Sequence, residues 1–318
     1  MKFRKVMRSY LVIFFAFVFS FRLFASSYGV LDSRFVDKNG DLLADTPTNK
    51  KELIDPPYLI FSYTPHESAD IYKRSWSDFV DYLSEVTGKS VVYFLFRTKE
   101  AELEAMRYGM LHVAGFSTGM VPDAVNYAGF HPFAIMADKN NKYGYTMEII
   151  TNSASNIKDI KELKGSSLTL TSPYSNSGYK LPIYILQRDY NLKAKVDYSI
   201  ILSGKHSKSI KGVADNKYKM AAIASSVKKR MIDRGDINSS DIKTLYKSKP
   251  FPTTGYGYIY NLEPSLVKKI KKAFLTYNWR TKNGKPSSLK KEFRDKDKFI
   301  EINYKDMWQE VREISKKY

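Results

Sequence analysis

The chain reads as an α/β protein of two lobes with a ligand cleft between them, and three observations predict it. Strand-like and helix-like patterns alternate from residue 58 to residue 260, the order that produces parallel sheets covered by helices. The 318 residues, 43% of them hydrophobic, exceed one ordinary core, so two domains are expected. Two extended segments, Lys142-Tyr143-Gly144-Tyr145-Thr146-Met147 and Pro250-Phe251-Pro252-Thr253-Thr254-Gly255-Tyr256-Gly257-Tyr258, join glycine to aromatics inside strand-like runs. Their near-equivalence predicts that the chain crosses to a second lobe and returns. Such folds place ligands in the crevice at the strand ends.

A leader precedes the first strand. Residues 1–8 carry Lys2, Arg4, Lys5 and Arg8, residues 10–21 are apolar except Ser20, and Ala25-Ser26-Ser27 are small. This charged, apolar, small-residue order is that of a secretory signal, cleaved near Ala25. The apolar run is short for a membrane span of about 20 residues, so an exported, periplasmic protein is expected. The chain has no cysteine, which excludes disulfides, thiolate metal sites and lipid attachment behind the leader. Without residues 1–25 the formal charge falls from +19 to +14, of which residues 264–318 hold +9. There Lys268, Lys269, Lys271 and Lys272 alternate with apolar residues, the pattern of a solvated helix face. Nucleic acid is not the expected partner, although the positive field attracts anions.

The elements follow from periodicity. Strands are expected at 58–63, 90–96, 111–116, 145–151, 167–171, 196–202, 220–224, 242–246 and 256–260. Helices are expected at 69–87, 99–108, 157–164, 179–190, 205–216 and 226–234. Trp76, Trp279 and Trp308 sit on amphipathic patterns and read as packing residues.

The most chemically informative stretch is Ser172-Pro173-Tyr174-Ser175-Asn176-Ser177-Gly178-Tyr179. It lies between a β-branched strand and a helix. A hydroxyl- and amide-rich turn opening into a helix aims free N–H groups at one point, the arrangement that holds an oxyanion without a metal. A plain helix cap is the competing reading.

A resemblance covers residues 32–312 in order. Asp41-Leu42-Leu43-Ala44-Asp45-Thr46-Pro47-Thr48, Leu59-Ile60-Phe61-Ser62-Tyr63-Thr64-Pro65, Glu104-Ala105-Met106-Arg107-Tyr108-Gly109 and Ala114-Gly115-Phe116-Ser117-Thr118-Gly119 carry its first half. Residues 171–182 and 252–258 carry the second. Together these resemble the substrate-binding proteins of phosphonate/phosphite/phosphate ABC transporters. The resemblance implies a periplasmic-binding-protein fold, type II-like, with two α/β lobes joined by two crossover strands. Residues 26–146 and 253–318 would form lobe 1, and 147–252 lobe 2. It also implies a small anion as ligand, an inner-membrane ABC permease as partner, no cofactor, no catalysis and a monomer.

Carried over residue by residue, the family's Ser/Thr loop corresponds to Ser175, Asn176, Ser177 and Gly178, with Asn replacing a Thr. Its histidine matches His206, and its crossing-strand tyrosine matches Tyr145. Lobe 1 should offer Tyr63, Thr64, Ser117 and Thr118 from its strand ends, and Lys99 or Thr98 stands where many relatives have a Tyr. Where many relatives have an Asp, the chain reads Ile223-Ala224-Ser225-Ser226. With no carboxylate to bind an amine, phosphite, phosphate or methylphosphonate is the expected ligand. A receptor for another tetrahedral anion, a sensor-coupled receptor and a secreted Ser177/His206 hydrolase are the alternatives. The hydrolase lacks both an acid partner and a Gly-x-Ser-x-Gly elbow. Asp37, Asn39, Asp41 and Asp45 have calcium-loop spacing, but Leu42 replaces the required Gly and Thr48 the Glu, so an ordered turn is expected. No metal site is expected from His66, His112 and His131.

Overall fold

The computed structural model describes residues 30–67, 69–281 and 283–318; the expected signal segment, 1–25, lies outside them. The chain first builds β1 (Tyr58–Tyr63), β2 (Ser90–Tyr93), β3 (Val113–Phe116) and β4 (Phe130–Ala137). It then crosses to β5 (Tyr145–Asn152), β6 (Ser167–Leu170), β7 (Ser199–Leu202), β8 (Met220–Ala224) and β9 (Ile242–Phe251). It returns through Pro252, Thr253 and Thr254 to β10 (Gly255–Ile259) and ends its strands at β11 (Lys298–Glu301). The first sheet has the order β11-β4-β10-β3-β1-β2 and the second β7-β6-β8-β5-β9. Two α/β lobes with two crossovers result. Tyr145 and Thr146, expected at the end of lobe 1, already pair with Phe251 and Pro250 in the second sheet.

The sheets are mixed, not parallel. β1 runs parallel to β2 and β3, and β6 parallel to β7 and β8. The returning strand β10 is antiparallel to β3 and β4, and β5 is antiparallel to β8 and β9. A chain that leaves a lobe and re-enters it from the other side must insert its strand in reverse.

Lobe 1 carries α1 (Ala69–Ser75), α2 (Ser77–Thr87), α3 (Lys99–Arg107) and α4 (Val121–Ala128). Lobe 2 carries α5 (Leu181–Tyr190), α6 (His206–Ala214) and α7 (Ser225–Arg234). The chain ends with α8 (Pro264–Thr276), α9 (Ser288–Glu292), α10 (Tyr304–Met307) and α11 (Gln309–Ser315). The helix expected over 69–87 breaks at Trp76. The Ser75 hydroxyl donates to the Ile71 carbonyl at 2.8 Å, a back-bond that bends helices. The bend lets the Trp76 indole pack edge-on to Phe61 at 4.9 Å and against Phe79 at 5.3 Å. Trp76, Trp279 and Trp308 are all buried. The helix expected at 157–164 is only a 3₁₀ turn, Ile160–Leu163, started by an Asp159/Glu162 capping box. Among the described residues no helix is long and apolar enough to cross a membrane.

The lobes touch through backbone as well as side chains. Gly119, after β3, faces the turn before α5. A Cβ on Gly119 would lie 2.5 Å from the Asn176 nitrogen and from the Tyr174 carbonyl oxygen. Lys180 of lobe 2 is 2% exposed; its Nζ donates to the Gly119 carbonyl at 3.1 Å and to Asp123 and Ser315 at 3.3 Å. Gly119→Val should therefore wedge the lobes apart without unfolding either. The expected result is a larger radius of gyration by X-ray scattering with an unchanged far-ultraviolet dichroism spectrum; an unchanged radius would refute the contact.

Candidate functional site

The turn after β6 gathers hydroxyls and backbone N–H groups at the start of a helical run. Ser175 is extended and caps the next turn, its Oγ accepting the Gly178 N–H at 2.9 Å. Residues Asn176–Lys180 form one π-helical turn that runs into α5, a distortion frequent at functional sites. The first N–H groups of this helical run have no intrahelical acceptor and sit at its positive end. Gly178 is required by contact: a Cβ there would lie 2.1 Å from Thr171 Oγ1.

His206 begins α6 beside this cap and is 4% exposed. Its Nδ1 accepts the Ala224 N–H at 3.2 Å, and its Nε2 lies 3.2 Å from Ser175 Oγ. Burial, then the charges of Lys99 and Arg230, lowers its pKa to about 3, so the ring is neutral. With Nδ1 occupied by an N–H donor, the hydrogen-bond network assigns the proton to Nε2. The Ser175 oxygen then accepts from both Gly178 and His206, and its own O–H is left to donate. This polarity is the reverse of a Ser-His nucleophile pair, in which the imidazole must accept the hydroxyl proton.

Lobe 1 and the crossovers supply the facing wall. A cavity of about 630 Å³, open mouth included, is lined by Tyr63, His66, Ser117, Thr118, Thr253 and Thr254 on that side. From the other side come Tyr145, Ser175, Asn176, Ser177, His206, Ser226 and Arg230. Ser117 Oγ, Thr253 Oγ1 and Asn176 Oδ1 are buried with no hydrogen-bond partner. Buried polar atoms are normally paired, so three orphans around one cavity mark a place for a polar guest. Asn176 Nδ2 donates to the Tyr145 hydroxyl at 3.4 Å, and Thr118 Oγ1 donates to the Pro252 carbonyl at 2.8 Å.

Eight of the eleven expected site residues line the cavity. Three do not. Thr64 points beneath the floor, where its hydroxyl and that of Ser62 donate to Glu102 at 3.1 and 2.6 Å. Strand alternation explains this, since Tyr63 and Thr64 face opposite sides. Gly178 lies behind the turn. Lys99 lies off the cavity and donates instead across the lobes to Ser172 Oγ at 2.6 Å. Sequence reasoning missed His66, Ser226, Arg230, Thr253 and Thr254. The Thr253-Thr254 pair beside the crossover glycine, and the Ser226/Arg230 spacing of one helical turn, were the available signals. The Asp37–Asp45 segment satisfies itself: Asp37 accepts the N–H groups of Gly40, Asp41 and Leu42, and Asp45 that of Lys38. Among the described residues no cluster of three or more His, Cys, Asp or Glu could hold a metal.

The chain matches the family model of periplasmic substrate-binding proteins of phosphonate ABC transporters over residues 61–307. It is 25% identical over 229 residues to the phosphate-import protein PhnD of Mycolicibacterium smegmatis, covering 69% of this chain and 71% of that one. Its fold is similar to the binding component of an ABC phosphonate transporter from Pseudomonas aeruginosa. That match has a TM-score of 0.71 and 21% identity, covering 82% of this chain and 86% of the other. PhnD1 of Prochlorococcus marinus, solved with methylphosphonate, matches with a TM-score of 0.69 and 17% identity over 83% and 98% of the two chains.

All four histidines are held below the ordinary imidazole range, each first by burial: His66 strongly, His112 to about 4, His131, and His206 to about 3. An imidazole with a lowered folded pKa stabilises the fold above about pH 6.5, and that stability is lost as the pH falls. Glu102 has the opposite sign: burial raises it to about 7, so its contribution is lost as the pH rises from about 4.5. His206→Gln should shrink the stability difference between pH 7.5 and 5.5 by about 1 kcal/mol. Glu102→Gln should enlarge it. Urea unfolding at the two pH values checks both signs.

Proposed function

This chain belongs to the periplasmic substrate-binding proteins of phosphonate ABC transporters, and we propose that the anion it captures is small, tetrahedral and amine-free. Phosphite, phosphate and methylphosphonate fit that description, and the bound anion is handed to an inner-membrane permease. The observation that carries this reading is the pair of unpaired hydroxyls lining the cavity, Ser117 Oγ and Thr253 Oγ1, each able to donate to an anionic oxygen. The Ser175 O–H, freed by the His206 tautomer, and the N–H groups at the start of the Asn176–Lys180 turn add to it. A tetrahedral anion between the lobes satisfies donors from both at once. Closure removes water from it and strengthens each charge-assisted hydrogen bond.

The cavity chemistry also supports an amine-free ligand. Among the described residues, the one carboxylate lining the cavity is Asp295, which is 45% exposed and paired with Lys296 at 2.9 Å. An aminoalkyl group would enter without a buried counter-charge. The phosphate-import relative and the methylphosphonate-bound neighbour support the same ligand class. The donor polarity of Ser175 favours holding over hydrolysis. Export through a leader cleaved near Ala25, action as a monomer, and a lobe 2 that begins at Tyr145 and runs to residue 252 complete the proposal.

Calorimetry at neutral pH is expected to give micromolar or tighter binding for at least one of phosphite, phosphate and methylphosphonate. 2-Aminoethylphosphonate should bind more weakly. If none binds below the millimolar range, the reading fails. Ser177→Ala should weaken the best ligand by about 1.5–3 kcal/mol, as for a hydrogen bond to a charged group.

A further inference from the structure

We propose that Arg230 is the charged contact that selects which anions the cleft accepts, with Glu67 as the residue that positions it. The inference rests on the anion-capture reading above. Arg230 lies one turn after Ser226 on α7, and both line the cavity. Its side chain is 11% exposed. Nε and Nη2 donate to Glu67 Oε1 at 3.0 and 2.9 Å, and Nη2 also donates to the Tyr72 hydroxyl at 3.4 Å. The guanidinium stands 5.4 Å over the Phe293 ring. A guanidinium has five N–H donors. Three are engaged by these partners, and the remaining two, on Nη1, have no acceptor among the described residues. Nor is Nη1 one of the sealed, unpaired atoms of the interior. A fixed fork with one free tine lines the cavity.

The surrounding charges make this a selector rather than a general attractor. Glu67 also accepts from Arg234, and Glu292 lies 3.4 Å from Arg230 and 3.0 Å from Arg234. Two guanidiniums and two carboxylates cancel at a distance, so the field of Arg230 is felt chiefly at close range. The other cation of the lining, Lys296, is engaged by Asp295. His66 and His206 are neutral. A guest anion therefore meets one cationic donor and several neutral ones. No buried carboxylate lines the cavity to take a proton from the guest; the unpaired acceptor there, Asn176 Oδ1, is a neutral amide oxygen. Such a site favours a doubly charged tetrahedron over a singly charged one of the same size. Because Arg230 comes from lobe 2 and Glu67 from lobe 1, the donor reaches its final position only when the lobes meet.

The test compares methylphosphonate, doubly charged at pH 8.5, with dimethylphosphinate, singly charged and of similar shape. Wild-type protein should prefer methylphosphonate by at least about 10-fold, and Arg230→Met should weaken methylphosphonate by about 10- to 100-fold. The same variant should bring the ratio of the two affinities towards one. Arg230→Lys keeps the charge but not the free tine, and should lose at least about fivefold for methylphosphonate; it decides the matter if the Met variant does not fold by dichroism. Glu67→Gln should lower the ratio as well as the affinity, with partial rescue by Glu67→Asp. A purely structural Glu67 would weaken both anions alike, which would overturn its positioning role. If both Arg230 variants bind methylphosphonate as wild type does, the selector is overturned while anion capture stands. If wild-type protein binds neither these anions nor phosphate or phosphite, the capture reading falls and the selector with it.

Discussion

The architecture depends on the burial of one ammonium. An unpaired ammonium in the interior costs several kcal/mol, so Lys180 Nζ must find oxygen acceptors. It finds Gly119 O, Asp123 Oδ2 and Ser315 Oγ, all in lobe 1, although Lys180 itself closes the π-helical turn of lobe 2. The turn that carries Asn176, Ser177 and Gly178 is thereby fixed against lobe 1. Gly119 is where it must be small, since its backbone meets that of Tyr174 and Asn176 with no room for a Cβ. The turn and the lobe contact are one structure. The same residues that present the donors also set the spacing between the lobes.

With that spacing set, the chemistry of the cavity follows from hydrogen-bond direction. The Ala224 N–H occupies His206 Nδ1, the imidazole proton goes to Nε2, and the Ser175 hydroxyl turns outward. Burial keeps the ring neutral, so the polarity does not reverse at ordinary pH. A chain of neutral groups ends in an O–H donor without a general base behind it. The Ser175 hydroxyl is left as a donor, with no base to take its proton.

Much of this was legible in the sequence, and the parts that were not have physical reasons. The Ser175–Gly178 turn is contiguous and bounded by a strand and a helix, so local pattern sufficed. The two crossovers were visible as glycine among aromatics. Strand β4 was not, because Pro132 argues against a central strand; the structure places it opposite Gly257, where the β4/β10 register shifts and a Cβ would strike the His131 carbonyl at 2.1 Å. Strand β11, Lys298-Phe299-Ile300-Glu301, sets its two apolar residues side by side between charges and so gives no alternation signal. Thr64 and Tyr63 are adjacent, and a period of two lets only one face the cleft. His66 and Arg230 reach the cavity through tertiary packing, which no local spacing encodes.

Three bridges across the lobes share one design, and it bears on how closure is balanced. Lys99 of lobe 1 reaches Ser172 of lobe 2, Lys180 of lobe 2 reaches Asp123, and Arg230 and Arg234 of lobe 2 reach Glu67 and Glu292. In each, a cation leaves water to meet its partner only when the lobes meet. For buried charge pairs such as Lys180–Asp123 and Arg230–Glu67 the attraction and the desolvation cost nearly cancel, so these two bridges fix the geometry of closure more than they drive it. A nearly balanced closure is what a capture protein needs. A ligand shifts an equilibrium only by its differential affinity for the two states, and donors split between the lobes give an anion most of its contacts in the closed one. If the bridges alone held the lobes firmly together, the guest could neither enter nor be released.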